Sequence, residues 1–485
     1  MDEFINAYVT CDRALLIAPA GHGKTHTLAD CVKVEHARGN YPLILTHTHA
    51  GIASIKEKMR QEGIPSEYAH VETILGFAQR YVLAYVRHDQ LPTADDGMYF
   101  PTILQKAVGL LAHSVIQSVI TASYDSVYVD EYQDCTREQN QFVQLLADIL
   151  PMHLMGDELQ GIFDFDQLVS FDADLSGYMR FDFLITPWRW RKEGNCAALG
   201  DKILEVRHLM ESGTDVDLKN YVCDSFQYSL LPPGMDEVAF HQAVGRLISK
   251  IQSRSVLILV PNIAEDGHPI SIGERAKILS QIDYRRSFTL LDAIDDRSYY
   301  SCTKEIDTFV TSFLRIRNPY KHLCDILHAL TFNKTDYSPW VNEHRIVTRT
   351  GENRGKSMQL SELYSAYAAS VSYAKLYALI CFFKEELKCK IKRPALYNSV
   401  MKAMKNAEGT SAYAQMVLQK NRIRQVGRKV CGRCLGTTLL TKGLEFDVVI
   451  IFDAHLFDKK NFYVAISRAC KKLIVFSRKE KLHFD

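Results

Sequence analysis

The 485 residues, 47% hydrophobic and 24% charged with a formal net charge of +1, form too long a chain for one hydrophobic core, so two to four globular units are expected. No apolar run approaches the roughly 20 residues that span a bilayer, and the opening MDEFINAYVTCDRALLIAP has acids where a secretory signal has bases, so a cytoplasmic chain with no membrane partner is expected. The twelve cysteines lack a framework spacing and read as reduced core thiols, and the near-neutral total leaves any nucleic-acid signature to local patches.

Residues 14–18 (ALLIA) are a short apolar run ending in PAGHGKT, after which Leu28, Val32 and His36 follow at helical spacing. Strand, loop, helix is the context of a phosphate loop. Across Ala20, Gly21, His22 and Gly23 the backbone N–H groups can turn around a β-phosphate, Lys24 brings a cation to the β and γ oxygens, and the Thr25 hydroxyl suits magnesium. Ala18 stands where this pattern usually has its first glycine.

PLILT (42–46) reads as a second strand, leading to an amphipathic helix over about 50–61. SVYVDE (126–131) is a third, followed by a helix over about 137–149, and MHLMGDE (152–158) is a fourth. This alternation implies a parallel sheet with helices on both faces and functional groups at the strand carboxyl ends. At one such end, Asp130 is placed to hold magnesium through water and Glu131 to polarise an attacking water. Two acids after a strand also fit a loop or a helix cap; the phosphate loop upstream favours catalysis.

Near Trp188 the pattern changes. SVLILV (255–260), DVVIIFDA (447–454) and KLIVFS (472–477) make a second α/β unit, interrupted by residues of about 305–425 that read as helices. The predicted organisation is a first domain over 1–185 with a short helical insertion at 78–124, a second in two parts over 186–304 and 426–485, and an inserted helical domain over 305–425. From Lys384 to Arg433 there are thirteen Lys and Arg against three Glu, which fits either attraction to a phosphate backbone or a solvated helix face. Cys431 and Cys434 in CGRC are either half a zinc site or two core thiols.

DEYQD (130–134) resembles the DExQD box of UvrD-like (UvrD/Rep) superfamily 1 helicases, and GDELQGIFDF (156–165) is similar to that family's GDxxQSIYxW. LTHTHAGIASIKEKM (45–59) and VETILGFA (71–78) resemble its DNA-contacting segments, and LITPWRWRK (184–192) sits where it has an NYR motif. TTLLTKGLEFDVVII (437–451) resembles TxxxxKGLEFxxV, and FYVAISRACKKL (462–473) resembles LYVAxTRAxxxL. The motifs extend from residue 18 to 475.

The resemblance implies an α/β fold of two RecA-like parallel-sheet motor domains with a helical domain inserted in the second. It implies ATP and Mg2+ as cofactors, single-stranded DNA or single-strand/duplex junctions as partner, travel from 3′ toward 5′, and a role in DNA repair, recombination or antiviral defence. Gln160 then senses the γ-phosphate, and Arg189 and Arg468 reach the transferred phosphate as permanently charged, two-pronged donors, with Arg191 the alternative to Arg189. Gly443 and Glu445 lie near the nucleotide sugar. Thr46, Thr48, Thr73 and Thr438 lie near DNA, and Phe165 takes the place of a base-stacking Trp, core packing being the alternative for it and Phe163. No Gln precedes the phosphate loop, where the family reads adenine, and no nuclease domain follows Asp485. In size the chain is similar to small antiviral-defence subunits of the Gabija helicase type, which implies a second reading: an ATP-hydrolysing DNA-end or single-strand sensor that regulates a separately encoded nuclease.

Overall fold

The computed structural model describes residues 2–93, 96–162, 169–182, 186–232, 234–283, 287–292, 296–426 and 432–484. They divide into two compact units, one of residues 1–291 with 424–485 and the other of Asp292–Ile423.

The first unit holds two six-stranded sheets, parallel throughout. Strands β1 (Arg13–Ile17), β2 (Pro42–Thr46), β3 (His70–Thr73), β4 (Ser126–Val129), β5 (Met152–Gly156) and β6 (Met179–Phe181) assemble in the order β3-β2-β4-β5-β1-β6. A short β7 (Val216–Asp217) lies outside the second sheet and pairs antiparallel with β14 (Lys481–Leu482). The second sheet takes β8 (Phe226–Leu230), β9 (Val256–Leu259), β10 (Thr289–Leu290), β11 (Arg433–Gly436), β12 (Phe446–Ile451) and β13 (Ala469–Ser477) in the order β10-β11-β9-β12-β13-β8.

The central strands are apolar on both faces because helices cover both. Successive side chains in a strand point to opposite sides, so Leu15, Leu43, Leu45, Val127, Val129 and Leu154 pack in one core while Ala14, Leu16, Ile44, Tyr128 and Met155 pack in the other. In the second sheet Leu257, Leu259, Val449 and Ile451 face one side, and Val256, Ile258, Val448 and Ile450 the other. The predicted insertion at 78–124 forms the helices Ile74–Tyr85, Tyr99–Leu111 and Ser114–Thr121. Phe77, Val82, Ile103, Ala107 and Ile120 seat them in the first sheet's own core.

The second unit is built on helices, including Ser298–Thr311, Pro319–Ala329, Arg354–Ala369, Tyr373–Glu385 and Pro394–Lys405, around a core of its own rich in Tyr and Phe. It begins at Asp292, earlier than the 305 read from periodicity, because Tyr299, Tyr300 and Cys302 of the polar-looking SYYSCTKE already belong to that core. Arg393, 7% exposed, ties the entry of the unit together through Asp292 and Asp296. In the basic stretch, Lys384, Lys388, Lys390, Lys392, Lys402 and Lys405 are exposed, whereas Lys420 is buried under the Tyr299 ring. Cys431 lies outside the described residues, Cys434 is buried in β11, and no cluster of metal-ligating side chains occurs among the described residues. No single described helix is long and apolar enough to cross a membrane.

Trp190, 1% exposed, is among the largest buried side chains and packs flat on the helix Ala197–Glu211 at Gly200, where an added Cβ would lie 2.6 Å from the Trp190 Cβ and Cγ. Replacing a mid-helix glycine by alanine ordinarily gains roughly 0.8–1 kcal/mol of helix propensity. Here overpacking outweighs it, and Gly200→Ala is expected to destabilise by about 1–3 kcal/mol, read as a lowered urea midpoint.

Candidate functional site

Parallel strands deliver the segments that follow them to one edge of a sheet. The phosphate loop leaves β1, Asp130 and Glu131 leave β4, and Asp157 to Gln160 leave β5, and these three strands are neighbours in the first sheet. Their loops open onto a cleft of about 760 Å³. Ala20, Gly21, Gly23, Lys24, Thr25, Thr46, Thr48, Asp130, Glu131 and Gln160 line it from the first half of the chain, and Arg189, Gly443, Glu445 and Arg468 from the second.

The loop geometry explains its glycines. Gly21 and Gly23 have φ of 75° and 96°, the left-handed region. A Cβ on Gly21 would sit 2.8 Å from the Arg189 Cβ, and one on Gly23 3.2 Å from the Trp188 indole. The Ala20 N–H donates to the Tyr463 hydroxyl (3.1 Å) and the Arg189 N–H to Gly21 O (2.9 Å), so the loop is braced from the second half. Lys24 is 7% exposed and its Nζ donates to Ala18 O at 2.7 Å; burial lowers its pKa, opposed by the nearby Glu131, Asp157 and Asp130 carboxylates. His22 turns inward, buried, with Nδ1 3.0 Å from Ala20 O, and does not line the cleft.

The two acids have opposite electrostatics. Burial and the adjacent Glu131 push the Asp130 carboxyl up. Burial pushes Glu131 up as well, but Lys442, Lys24, a hydrogen bond from Gln133 and Arg468 outweigh it and hold Glu131 low, as an anion. Glu131 sits at φ 57°, ψ 40°, a left-handed conformation costing a non-glycine residue of order 1–2 kcal/mol. Such strain, held by the surrounding structure, is a mark of functional sites. A carboxylate and the Thr25 hydroxyl in one cleft are the hard oxygen donors that a divalent cation beside phosphates takes.

From Glu131 a chain of hydrogen bonds leads across the cleft. Gln133 Nε2 donates to Glu131 Oε2 (2.6 Å), and the Asp157 N–H donates to Gln133 Oε1 (2.9 Å). Gln160 Nε2 donates to Asp157 Oδ2 (2.9 Å), and Arg468 Nη2 donates to Gln160 Oε1 (3.0 Å). Arg468, 1% exposed, also donates to Val464 O (3.0 Å) and the Ser467 hydroxyl (2.9 Å); burial and Arg189 lower its pKa to about 10, so the guanidinium stays charged. Arg189 Nε donates to Glu445 Oε1 at 3.0 Å and Nη1 to Ser467 O at 2.5 Å. Arg191 pairs with Asp201 at 2.8 Å on the exposed surface, so of the two arginines in PWRWR it is Arg189 that enters the cleft.

The four threonines read as DNA contacts are buried or engaged locally. The Thr48 and Thr73 hydroxyls cap helices, accepting from the Gly51 and Gly76 N–H groups at 2.9 Å. Thr438, 1% exposed, donates to Asn461, and Thr46 is likewise 1% exposed. Phe165 and Phe163 lie outside the described residues.

Sequence reading passed over Lys442, Trp188, Asp157 and Arg207. Lys442 pairs with Asp134 and donates to Gln160 O. Trp188, half exposed, lies in the cleft against Gly23. Arg207 holds Asp157 with two prongs, 2.7 and 3.0 Å. The first three stand inside motifs that were read for their neighbours.

The Lys442–Asp134 pair is 2% and 1% exposed. Removing one partner of such a pair leaves an uncompensated buried charge. Lys442→Met is expected to cost about 3–5 kcal/mol in urea unfolding, and the double change with Asp134→Leu to recover most of it.

No curated protein matches the chain. Residues 2–166 match a family model described as an AAA domain. With a parallel six-stranded sheet and a glycine-bent loop facing an acid pair, this segment is similar to the P-loop NTPase domain found in UvrD/Rep-like helicases.

Proposed function

We propose that the protein is an ATP-hydrolysing motor that tracks along single-stranded DNA from 3′ toward 5′. One observation carries this reading: Arg189 and Arg468 of the second half line the same cleft as Lys24, Asp130 and Glu131 of the first. Phosphoryl transfer needs positioning and charge neutralisation more than covalent chemistry. Lys24 and the loop amides would take the β- and γ-phosphates, and Glu131, anionic and fixed by Gln133, would orient and deprotonate the attacking water. Thr25 and Asp130 would hold Mg2+, which neutralises triphosphate charge when bound.

Arg189 rests on Glu445 and the Ser467 carbonyl, a carboxylate contact that a phosphate can replace. The exchange gives the second half a reason to shift with the nucleotide state. DNA binding is supported by charge: residues 292–423 hold twenty Lys and Arg against thirteen Asp and Glu, a net +7 in a chain whose total is +1.

The test is hydrolysis of ATP with and without single-stranded DNA. At least tenfold stimulation is expected, and at least a hundredfold loss in Lys24→Ala and Glu131→Gln. Hydrolysis unmoved by any nucleic acid refutes the motor. The half-exposed Trp188 indole beside the phosphate loop offers a face for the base in place of an upstream Gln. Trp188→Ala is accordingly expected to raise KM for ATP about five- to tenfold, from roughly 1–1.4 kcal/mol of lost stacking, with kcat nearly unchanged in steady-state assays.

A further inference from the structure

Arg207 stands on the helix Ala197–Glu211, 8% exposed, and does not line the cleft. Its guanidinium grips both oxygens of Asp157, Nη1 to Oδ2 at 2.7 Å and Nη2 to Oδ1 at 3.0 Å. It also lies over the Tyr463 ring, 4.7 Å from the centroid, and Tyr463 accepts the Ala20 N–H of the phosphate loop. Nε holds Glu211 at 2.9 Å.

Asp157, 1% exposed, is the node from which both active-site glutamines take their orientation. Its N–H can pair only with an oxygen, so Gln133 turns Oε1 to it and presents Nε2 to Glu131. Its ionised carboxylate can only accept, so Gln160 turns Nε2 to it and presents Oε1 to Arg468. A buried carboxylate that fixes the Gln160 amide while its own backbone N–H fixes Gln133 needs a buried counter-charge held in fixed geometry, and a two-pronged guanidinium supplies both.

We infer that Arg207 is a positioning residue for hydrolysis: by clamping the Asp157 carboxylate it sets Gln160 toward Arg468 and anchors the residue whose backbone N–H turns Gln133 toward Glu131, and so keeps the water-activating side and the phosphate-sensing side of the cleft in register. The inference rests on the nucleotide-hydrolysing reading proposed above. It adds that the second half reports to Glu131 through Arg207 as well as through Arg468.

The test compares ATP hydrolysis in Mg2+ buffer, equilibrium binding of a fluorescent ATP analogue, and thermal unfolding. Arg207→Met is expected to lower kcat at least tenfold while the analogue's Kd stays within twofold. Because that change strands a buried carboxylate, Arg207→Met with Asp157→Asn is the decisive variant. The second substitution removes the stranded charge but leaves an amide that can face Gln160 with either end. Thermal stability is therefore expected to return to within a few degrees of the natural chain, and kcat to remain at least tenfold down. Turnover that recovers together with stability, a single variant with natural kcat, or loss of analogue binding in the double variant overturns the inference. A natural chain that hydrolyses no ATP overturns the proposed function and the inference with it, whereas one that hydrolyses it normally beside a fully active double variant overturns the inference alone.

Discussion

A buried anion that cannot escape to water organises everything around it, and in this molecule that anion is Asp157. It sits at the carboxyl end of β5, between the strand of the phosphate loop and the strand of the acid pair. Moving a carboxylate out of water costs several kcal/mol unless its lone pairs are filled. Gln160 and Arg207 fill them here, while its N–H engages Gln133. The geometry of the cleft follows from satisfying one group completely.

Around that node the cleft gathers charges of both signs. Lys24, Lys442 and Arg468 offset Glu131, and Glu445 engages Arg189. Removing any one of them leaves another unbalanced, so the charged residues of the two halves form a mutually dependent set. Under the proposed function, a triphosphate with its cation would enter such a site by replacing protein contacts already made, as at Arg189, and the protein's conformation would become sensitive to what occupies the cleft.

Most of the cleft was legible in the sequence because its residues lie at strand ends, where an apolar run stops and a short polar signature begins. PAGHGKT after ALLIA, DEYQD after SVYV and KGLEF before DVVII are each local patterns. Arg207 had no such mark: it lies mid-helix, 50 residues from its partner, and only the fold brings them together. Trp188 and Lys442 were visible as letters, yet their roles depend on which way a side chain faces. β8 escaped because FQYSL has residues less than fully buried at four of its five positions and so lacks a continuous apolar run. Thr48 and Thr73 carry a local use that their motifs did not announce. A threonine ahead of a helix is first a cap, and that local use of the hydroxyl competes with any contact to a ligand.

The cleft draws on unlike edges of the two sheets. Lys24, Glu131 and Gln160 follow the carboxyl ends of their strands, whereas Glu445 stands just before β12 and Arg468 just before β13, at amino ends. At the cleft the first sheet therefore presents carboxyl-end loops and the second amino-end segments. Two identical domains related by a twofold axis would meet through the same edge twice, with two equivalent sites or none. A contact made through unlike edges has one site and a single sense, and joining both domains in a single polypeptide stops the series after the first contact, where separate subunits would continue into a ring or a filament. The asymmetry of the cleft is thus present in the order of the chain itself.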